Sequence, residues 1–116
     1  MKITRLYTGS DGESHFSDME LSLEDTGNRG RRSELIKATG IIFRETGKEY
    51  NLDWHNASHR QFLLTLKGKV EIEIGDGTRR QFSSGDILLT EDTTGRGHIS
   101  RTVGDQPRIT AFVRLD

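Results

Sequence analysis

The segment QFLLTLKGKVEIEIG, residues Gln61–Gly75, contains the clearest alternation of apolar and polar residues in the chain. In Val70–Ile74 apolar side chains occupy every second position and glutamates lie between them, a period of two that is typical of a strand with one buried face. An Asp-Gly pair follows in Gly75-Asp76-Gly77 and favours a tight hairpin whose central residues have positive φ. The segment therefore predicts strands at Gln61–Leu66 and Val70–Ile74, with a return strand at Arg79–Phe82.

Short apolar runs of the same period continue on both sides of this segment, and no helical stripe interrupts them. Glu91–Gly97 is polar and glycine-rich, which predicts a loop. The other predicted strands are Ile3–Tyr7, Phe16–Leu23, Gly40–Glu45, Tyr50–His55, Ile87–Thr90, Gly97–Val103 and Arg108–Leu115. Eight or more short strands at this spacing predict an all-β sandwich or barrel.

Length and composition narrow the class of protein further. The chain has 116 residues, which predicts one domain over residues 1–116. With 17 basic and 18 acidic side chains its net charge is −1, which argues against the basic footprint of a nucleic-acid binder. It has no cysteine, so disulfides, thiolate metal sites and a catalytic thiol are excluded. Without an apolar leader or a run of membrane-spanning length, we expect a cytoplasmic protein and no membrane partner.

The segment Ser22–Arg32 concentrates charge in the first third of the chain. Its three arginines, Arg29, Arg31 and Arg32, could clamp an anionic ligand. A solvated loop is the alternative, and charge runs of this kind favour it.

Two stretches resemble the two sequence motifs of the cupin superfamily. WHNASHRQFLLTLKGKVEIEIG spans Trp54–Gly75 and FSSGDILLTEDTTGRGHIS spans Phe82–Ser100, and the motifs cover about residues 54–75 and 82–102. In the family the first motif reads roughly H-x-H-x(3,4)-E-x(6)-G and the second G-x(5)-P-x-G-x(2)-H-x(3)-N. His55 and Gln61 fall on the first His and the Glu of motif one, and His98 falls on the His of motif two. The resemblance implies a cupin-type double-stranded β-helix, a jelly-roll barrel.

The resemblance also implies a metal centre, which in the family generally has three His and one Glu. Here Ala57 and Gln61 stand at two of the four ligand positions. The implied centre is therefore degenerate, with His55, His98 and Gln61 as ligands and His59 as a replacement. The expected cofactor is one divalent transition metal, iron, manganese, nickel or zinc, or none, since two imidazoles and an amide oxygen are a weak donor set.

Whether His59 can replace a missing metal ligand depends on the conformation of the backbone before it. If residues 53 to 61 are continuously extended, the odd positions share one face and His59 lies beside His55. If Asn56-Ala57-Ser58 forms a turn, that register is lost and His59 becomes an exposed residue at the end of a strand.

His55 and His98 are candidate catalytic residues even without a metal, because imidazole titrates near neutral pH. Asp53, two residues from His55, could orient its ring or bind a ligand directly. The alternative is a pair of structural or surface histidines. The resemblance favours a shared pocket, because the two motif positions converge inside the family's barrel.

Other side chains are candidates for binding a small molecule. Gln61 is expected to point into the barrel, and Arg44 and Arg101 could hold a substrate carboxylate. Glu91 and Asp92 precede His98 on the predicted loop and could contribute at the pocket mouth. The alternative, which acidic loop residues favour, is that both are merely solvated.

These residues support two hypotheses about function. The first is a metal-dependent or histidine-based enzyme of the lyase or isomerase type that acts on a small acid or sugar derivative. The second is a non-catalytic cupin that binds a sugar or carboxylate and has lost its metal. A regulatory protein that contacts nucleic acid is disfavoured by the charge.

The strand Gln61–Leu66 also bears on assembly. If Gln61 points inward, Phe62, Leu64 and Leu66 share the opposite face, which is too apolar to remain exposed. Another strand layer or a second subunit should cover it. A two-fold homodimer is the simplest expectation.

Overall fold

The computed structural model describes all residues, 1–116, and is built from strands. The twelve strands are β1 (Lys2–Thr8), β2 (Ser14–Glu20), β3 (Glu24–Asp25), β4 (Arg31–Arg32), β5 (Gly40–Thr46), β6 (Asn51–His55), β7 (Gln61–Lys67), β8 (Lys69–Glu73), β9 (Arg79–Ser83), β10 (Ile87–Glu91), β11 (His98–Val103) and β12 (Arg108–Arg114). The only helical turn is a 3-10 turn at Gly27–Arg29, and no helix is long and apolar enough to cross a membrane. The all-β prediction is confirmed.

Ten of the strands form two facing sheets. The larger sheet has the order β2-β1-β10-β7-β12-β5 and the smaller has the order β6-β11-β8-β9. All pairs are antiparallel except β1 and β10, which run parallel. Hydrogen bonds do not close the two sheets into one barrel, so the architecture is an open sandwich.

The core lies between the sheets, and most of it is near β2 and β9. Its fully buried members are Leu6, Leu63, Val70, Ile72, Ile74, Phe82 and Leu88. Phe16 on β2 packs near Phe82 on β9, with ring centroids 6.4 Å apart. Each such side chain contributes about 1.5–3 kcal/mol when it is buried. The sandwich is therefore filled at the β2/β9 edge, and a cavity is left toward β5 and β6.

The predicted hairpin around Asp76 is confirmed, with one correction. β8 and β9 pair in register from Lys69↔Ser83 to Glu73↔Arg79. Gly77 has a φ of +87° and donates its N–H to the carbonyl of Ile74 at 2.9 Å. Asp76 does not have positive φ, contrary to our expectation. Its carboxylate accepts the Thr78 N–H at 2.8 Å and stabilises the turn from outside.

The charged segment Ser22–Arg32 forms a small exposed ribbon, in which β3 pairs with β4 around the 3-10 turn. Its arginines do not converge on a cavity, because all three are exposed and two donate to nearby main-chain carbonyls. The solvated alternative describes this segment, and the anion clamp does not.

The outer face of the larger sheet is apolar and open. Alternation along β7 places Gln61 and Leu63 at the cavity and Leu66 on the outer face, where it is half exposed. On the neighbouring edge strand β5, Ile41 and Phe43 point outward and are 53% and 68% exposed. Phe62 and Leu64 on the same face are half-buried and Leu89 is only 5% exposed, so the open apolar part of this face lies at Leu66 and along β5.

Candidate functional site

A cavity of about 250 Å³ lies between the sheets, on the side of β5 and β6. Leu63, Val70 and Ile72 form its apolar floor and also belong to the core. Ile42 and Leu52, each about 40% exposed, lie at its mouth. Its size fits a molecule smaller than a typical drug, because pockets for drug-sized ligands have volumes of about 300–1,000 Å³.

A bulge in the smaller sheet brings the two predicted histidines together. His98 on β11 pairs directly with His55 on β6, but two residues later Ser100 pairs with Leu52, so β6 has one extra residue. The bulge lets Leu52 and His55, three residues apart, both face the cavity, although regular alternation would separate them. The imidazole centroids lie 4.4 Å apart, with the rings tilted by 58°.

A close backbone contact holds the end of β6 against the loop before His98. Gly97 has a φ of +80°, and a Cβ at this position would overlap the carbonyl oxygen of His55. Only glycine combines this backbone conformation with so close an approach. Gly97 therefore positions both histidines.

Asp92 is the residue whose role sequence reasoning missed. The sequence predicted that it contributes at the pocket mouth or is merely solvated, yet its exposed fraction is 0%. One carboxylate oxygen lies 2.6 Å from Nδ1 of His98 and accepts the Ser14 hydroxyl at 2.7 Å. Its main-chain carbonyl accepts the N–H of Ala57. Because a carboxylate accepts hydrogen bonds, this contact places a proton on Nδ1 of His98 and leaves Nε2 free.

His55 is oriented differently. Its Nδ1 lies 2.7 Å from the main-chain carbonyl oxygen of Asp53, which can only accept, so Nδ1 carries the proton. Burial lowers the pKa of His55, and the neighbouring His98 lowers it further, against opposing effects of the Asp53 carbonyl and of Asp92. His55 is therefore neutral near pH 7, and its Nε2 is a hydrogen-bond acceptor.

The lowered pKa of His55 makes stability depend on pH. The folded state binds this proton more weakly than the unfolded chain, so the contribution is fully present above the unfolded pKa near 6.5 and is lost as the pH falls through the folded pKa. We expect the difference in free energy of unfolding between wild type and His55→Gln to shrink from pH 7 to pH 5, measured by urea denaturation. A difference that does not vary with pH would contradict the burial of this ring.

Three arginines face the cavity, and only one of them was predicted. Arg44 on β5 and both Arg108 and Arg114 on β12 line it, whereas no Asp or Glu does. None of the three has a carboxylate within 4 Å. The cavity is therefore strongly positive.

Arg101, the other predicted substrate clamp, lies on the opposite face of the smaller sheet. It donates to Glu71 and Glu73 at 2.8 and 3.0 Å. Because His98 and Ser100 point inward, strand alternation turns Arg101 outward. It is a surface ion-pair residue and not part of the site.

Asp53 and His59, two other predicted site residues, also lie away from the cavity. The Asp53 carboxylate is exposed and accepts the N–H of Trp54, so only its main chain contributes to the site. β6 ends at His55, and the residues after it are not extended. This is the turn alternative, and it leaves His59 against the hydroxyl of Ser58.

The residues present do not fit the four-ligand metal centre that the cupin resemblance implies. His55 and His98 each present a free Nε2 and Gln61 lines the same cavity, but no group of three His, Cys, Asp or Glu side chains is brought together. Unpaired guanidinium groups in the same cavity also repel a divalent cation.

Comparison with known proteins gives a similarity to a solved structure. No family model matches the chain, and no curated protein matches it either. Among solved structures, the chain is similar to the crystal structure of protein NMB1881 from Neisseria meningitidis, with a TM-score of 0.50 and 18% identity. The similarity covers 72% of this chain and 81% of that chain. At this identity the similarity concerns the fold alone.

Proposed function

We propose that the chain is a divergent cupin whose cavity binds a small molecule. The order of the eight strands from β5 to β12 supports the jelly-roll part of this proposal. These eight strands lie in two four-stranded layers with the spatial orders β10-β7-β12-β5 and β6-β11-β8-β9. A double-sheet jelly roll with two Greek keys has the same order of strands. The sequence motifs around His55 and His98 support the cupin part, and β1 and β2 then extend one sheet.

We further propose that the site is a histidine-based active site that moves a proton on a carbonyl-containing small molecule, as isomerases and lyases do. The observation that carries this proposal is the 2.6 Å contact between Asp92 and Nδ1 of His98. A buried carboxylate at Nδ1 fixes the tautomer and stabilises the imidazolium that forms when Nε2 accepts a proton. His98 is thus equipped as a general base.

The proposed reaction moves one proton to and from His98. Nε2 of His98 removes a proton from the carbon next to the carbonyl, and the electron pair of the broken C–H bond moves into the carbonyl to form an enolate. Gln61 and Arg114, which line the same cavity, can stabilise this negative charge. The neutral His55 can accept a hydrogen bond from a substrate hydroxyl. In an isomerase the imidazolium of His98 then returns the proton to carbon. In a lyase the enolate collapses to re-form the carbonyl and a C=C bond while the bond from the β-carbon to its oxygen substituent breaks, and the imidazolium protonates that leaving oxygen.

Solvent exchange tests this proposal before the substrate is identified. Protein in D₂O is incubated with panels of 2-hydroxy acids, 2-keto acids and sugar derivatives, and deuterium incorporation at carbon is followed by NMR. We expect exchange with at least one class, and His98→Asn should slow it by about 10²- to 10⁴-fold. His59→Asn is the matched control, because His59 lies outside the cavity, and should keep the wild-type rate. Equal rates in wild type and His98→Asn would refute the base.

A non-catalytic binding protein is the second candidate, and the replacement of two family ligand positions by Ala57 and Gln61 favours it. It predicts a ligand-dependent rise in Tm that survives chelation, without any exchange at carbon. A small acid that raises Tm and exchanges no proton would decide for this alternative. Metal close to one atom per chain in purified protein would instead restore the metal-dependent hypothesis.

We propose that the partner of the open apolar face is a second copy of the chain. Ile41 and Phe43 are exposed on the free edge strand β5, and Leu66 is exposed on the same sheet face two strands away; a self-complementary patch at a sheet edge suits a two-fold dimer. Sedimentation should give about 26 kDa, twice the chain mass of 13.1 kDa. Phe43→Glu should give a monomer or aggregate, and Lys69→Glu on the other sheet should leave the dimer intact. A wild-type mass near 13.1 kDa at working concentration would refute the dimer.

The cytoplasmic location and the lack of a nucleic-acid partner stay predictions.

A further inference from the structure

We propose that the substrate of this site is an elongated small dianion, with one acidic group held by the buried Arg108 and a second held by Arg114 beside the histidines, while Arg44 at the cavity mouth contributes positive charge between them. This inference rests on the proposed function and names its substrate class. The acidic groups are carboxylates or phosphates, which guanidinium groups recognise alike.

Arg108 is the strongest observation behind this proposal. Its exposed fraction is 5%, and no carboxylate compensates its charge. Its Nε donates to the Thr102 hydroxyl at 3.1 Å, and the guanidinium carbon lies 5.3 Å from the ring centroid of Tyr50. The two terminal nitrogens have no hydrogen-bond partner in the chain. Burial of an uncompensated charge is costly, so this position suits a ligand that supplies the opposite charge.

Arg44 lies between the two ends of the cavity, at its mouth. It pairs with Thr110 across β5 and β12, so its backbone lies between those of Arg108 and Arg114 on the cavity face. Its guanidinium lies over the ring of Phe112, on the side of Thr110 away from Arg108, and has no hydrogen-bond partner in the chain. A bound anion would relieve the repulsion between these uncompensated positive charges. Burial lowers the pKa of Arg108, and the repulsion from Arg44 adds to this effect against an opposing effect of Tyr50.

Arg114 lies at the other end of the cavity. It pairs with Gln61, which in turn pairs with Thr90 two residues before Asp92, so this end of the larger sheet lies beside the histidines. Its Nε is buried and has no hydrogen-bond partner. Arg108 and Arg114 are six residues apart on one strand, about 20 Å of backbone, and both side chains reach into the same cavity. Two separated cationic ends require an extended molecule with acidic groups at both ends.

The experiment measures binding of defined probes by thermal shift and calorimetry. The probes are dicarboxylates from malonate to adipate, phosphonocarboxylates of the same lengths, the monocarboxylates butyrate and hexanoate, and neutral succinamide. We expect at least one dianion of intermediate or greater length to bind at least tenfold more tightly than either monocarboxylate, and succinamide not to bind. Comparison of the carboxylate and phosphonate series decides which acidic group is preferred.

Variants assign the acidic groups to the arginines. Arg108→Gln and Arg44→Gln should each weaken dianion binding at least tenfold, whereas Arg101→Gln on the outer face should leave it unchanged. Arg44 is exposed at the cavity mouth, so its variant keeps the test decisive if Arg108→Gln does not fold. Dianion binding that is equal in Arg44→Gln, Arg101→Gln and wild type would overturn the inference, as would binding of the neutral probe alone.

The two proposals fail separately. If a neutral molecule shows exchange that depends on His98 and no dianion binds, the function stands and the dianion inference is wrong. If dianions bind through Arg44 and Arg108 but no panel molecule exchanges a proton, the inference stands as a binding specificity and the enzyme is wrong.

Discussion

Asp92→Asn is expected to lower the rate of proton exchange by about 10³- to 10⁴-fold while leaving the fold intact. The side chain keeps its shape. The same carboxylate oxygen contacts Nδ1 of His98 and the Ser14 hydroxyl, so an amide NH₂ in its place can donate one N–H to Nδ1 and the other to the Ser14 oxygen. The amide cannot stabilise an imidazolium. The ring then carries its proton on Nε2, where a base must be free.

Glu91→Gln is the matched control for this variant. Glu91 is the neighbouring acid in sequence, but its carboxylate pairs with Arg5 and Arg60 on the outer face. We expect its replacement to cost up to about 1 kcal/mol of stability, as for surface ion pairs, and to leave exchange unchanged. Exchange in Asp92→Asn at the wild-type rate, with far-UV circular dichroism unchanged, would remove Asp92 from the mechanism.

Gly97→Ala is expected to cause the largest loss of stability, about 3 kcal/mol or more. A methyl group there adopts a left-handed backbone conformation, which costs about 1 kcal/mol, and overlaps the carbonyl oxygen of His55. Relief requires that the end of β6 move away from β11, and such overpacking typically costs a further 1–3 kcal/mol. The same movement separates the two histidines.

Gly85→Ala provides the matched comparison. Gly85 has a φ of +92°, but a Cβ there meets no atom within 4 Å. The Gly85→Ala variant should therefore lose only about 1 kcal/mol of stability, the cost of the left-handed backbone conformation. Urea denaturation compares the two variants directly. Equal stabilities would show that β6 does not approach the Gly97 loop as described.

The sequence predicts most strands because alternation and turn residues are local signals. The hairpin from β8 to β9 is identified by its alternating residues and by its Asp-Gly pair. The alternation also indicates that Asp92 is buried, although its role was not predicted from the sequence. Leu88 and Thr90 point inward on β10, and the same parity continues to Asp92, although its polar neighbours suggested solvent.

Other parts of the site depend on features that a single sequence does not contain. The bulge in β6 changes which residues face the cavity, so it brings in Leu52 and His55 and leaves the Asp53 side chain outside. Arg108 was not predicted because the apolar residues of its predicted strand, Ile109, Ala111, Val113 and Leu115, alternate with it and indicate the opposite face of the strand. Arg101 could have been excluded by parity once His98 was placed inward.

The central claim is that His98 and His55 face each other with protons on Nδ1 and both Nε2 atoms free. Long-range ¹H–¹⁵N NMR of the histidine side chains at pH 8, combined with nuclear Overhauser contacts between the two rings, measures this directly. The account predicts the Nδ1–H tautomer for both rings and a strong contact between them, as expected for centroids 4.4 Å apart. An Nε2–H tautomer at His98, or no contact between the rings, would contradict it.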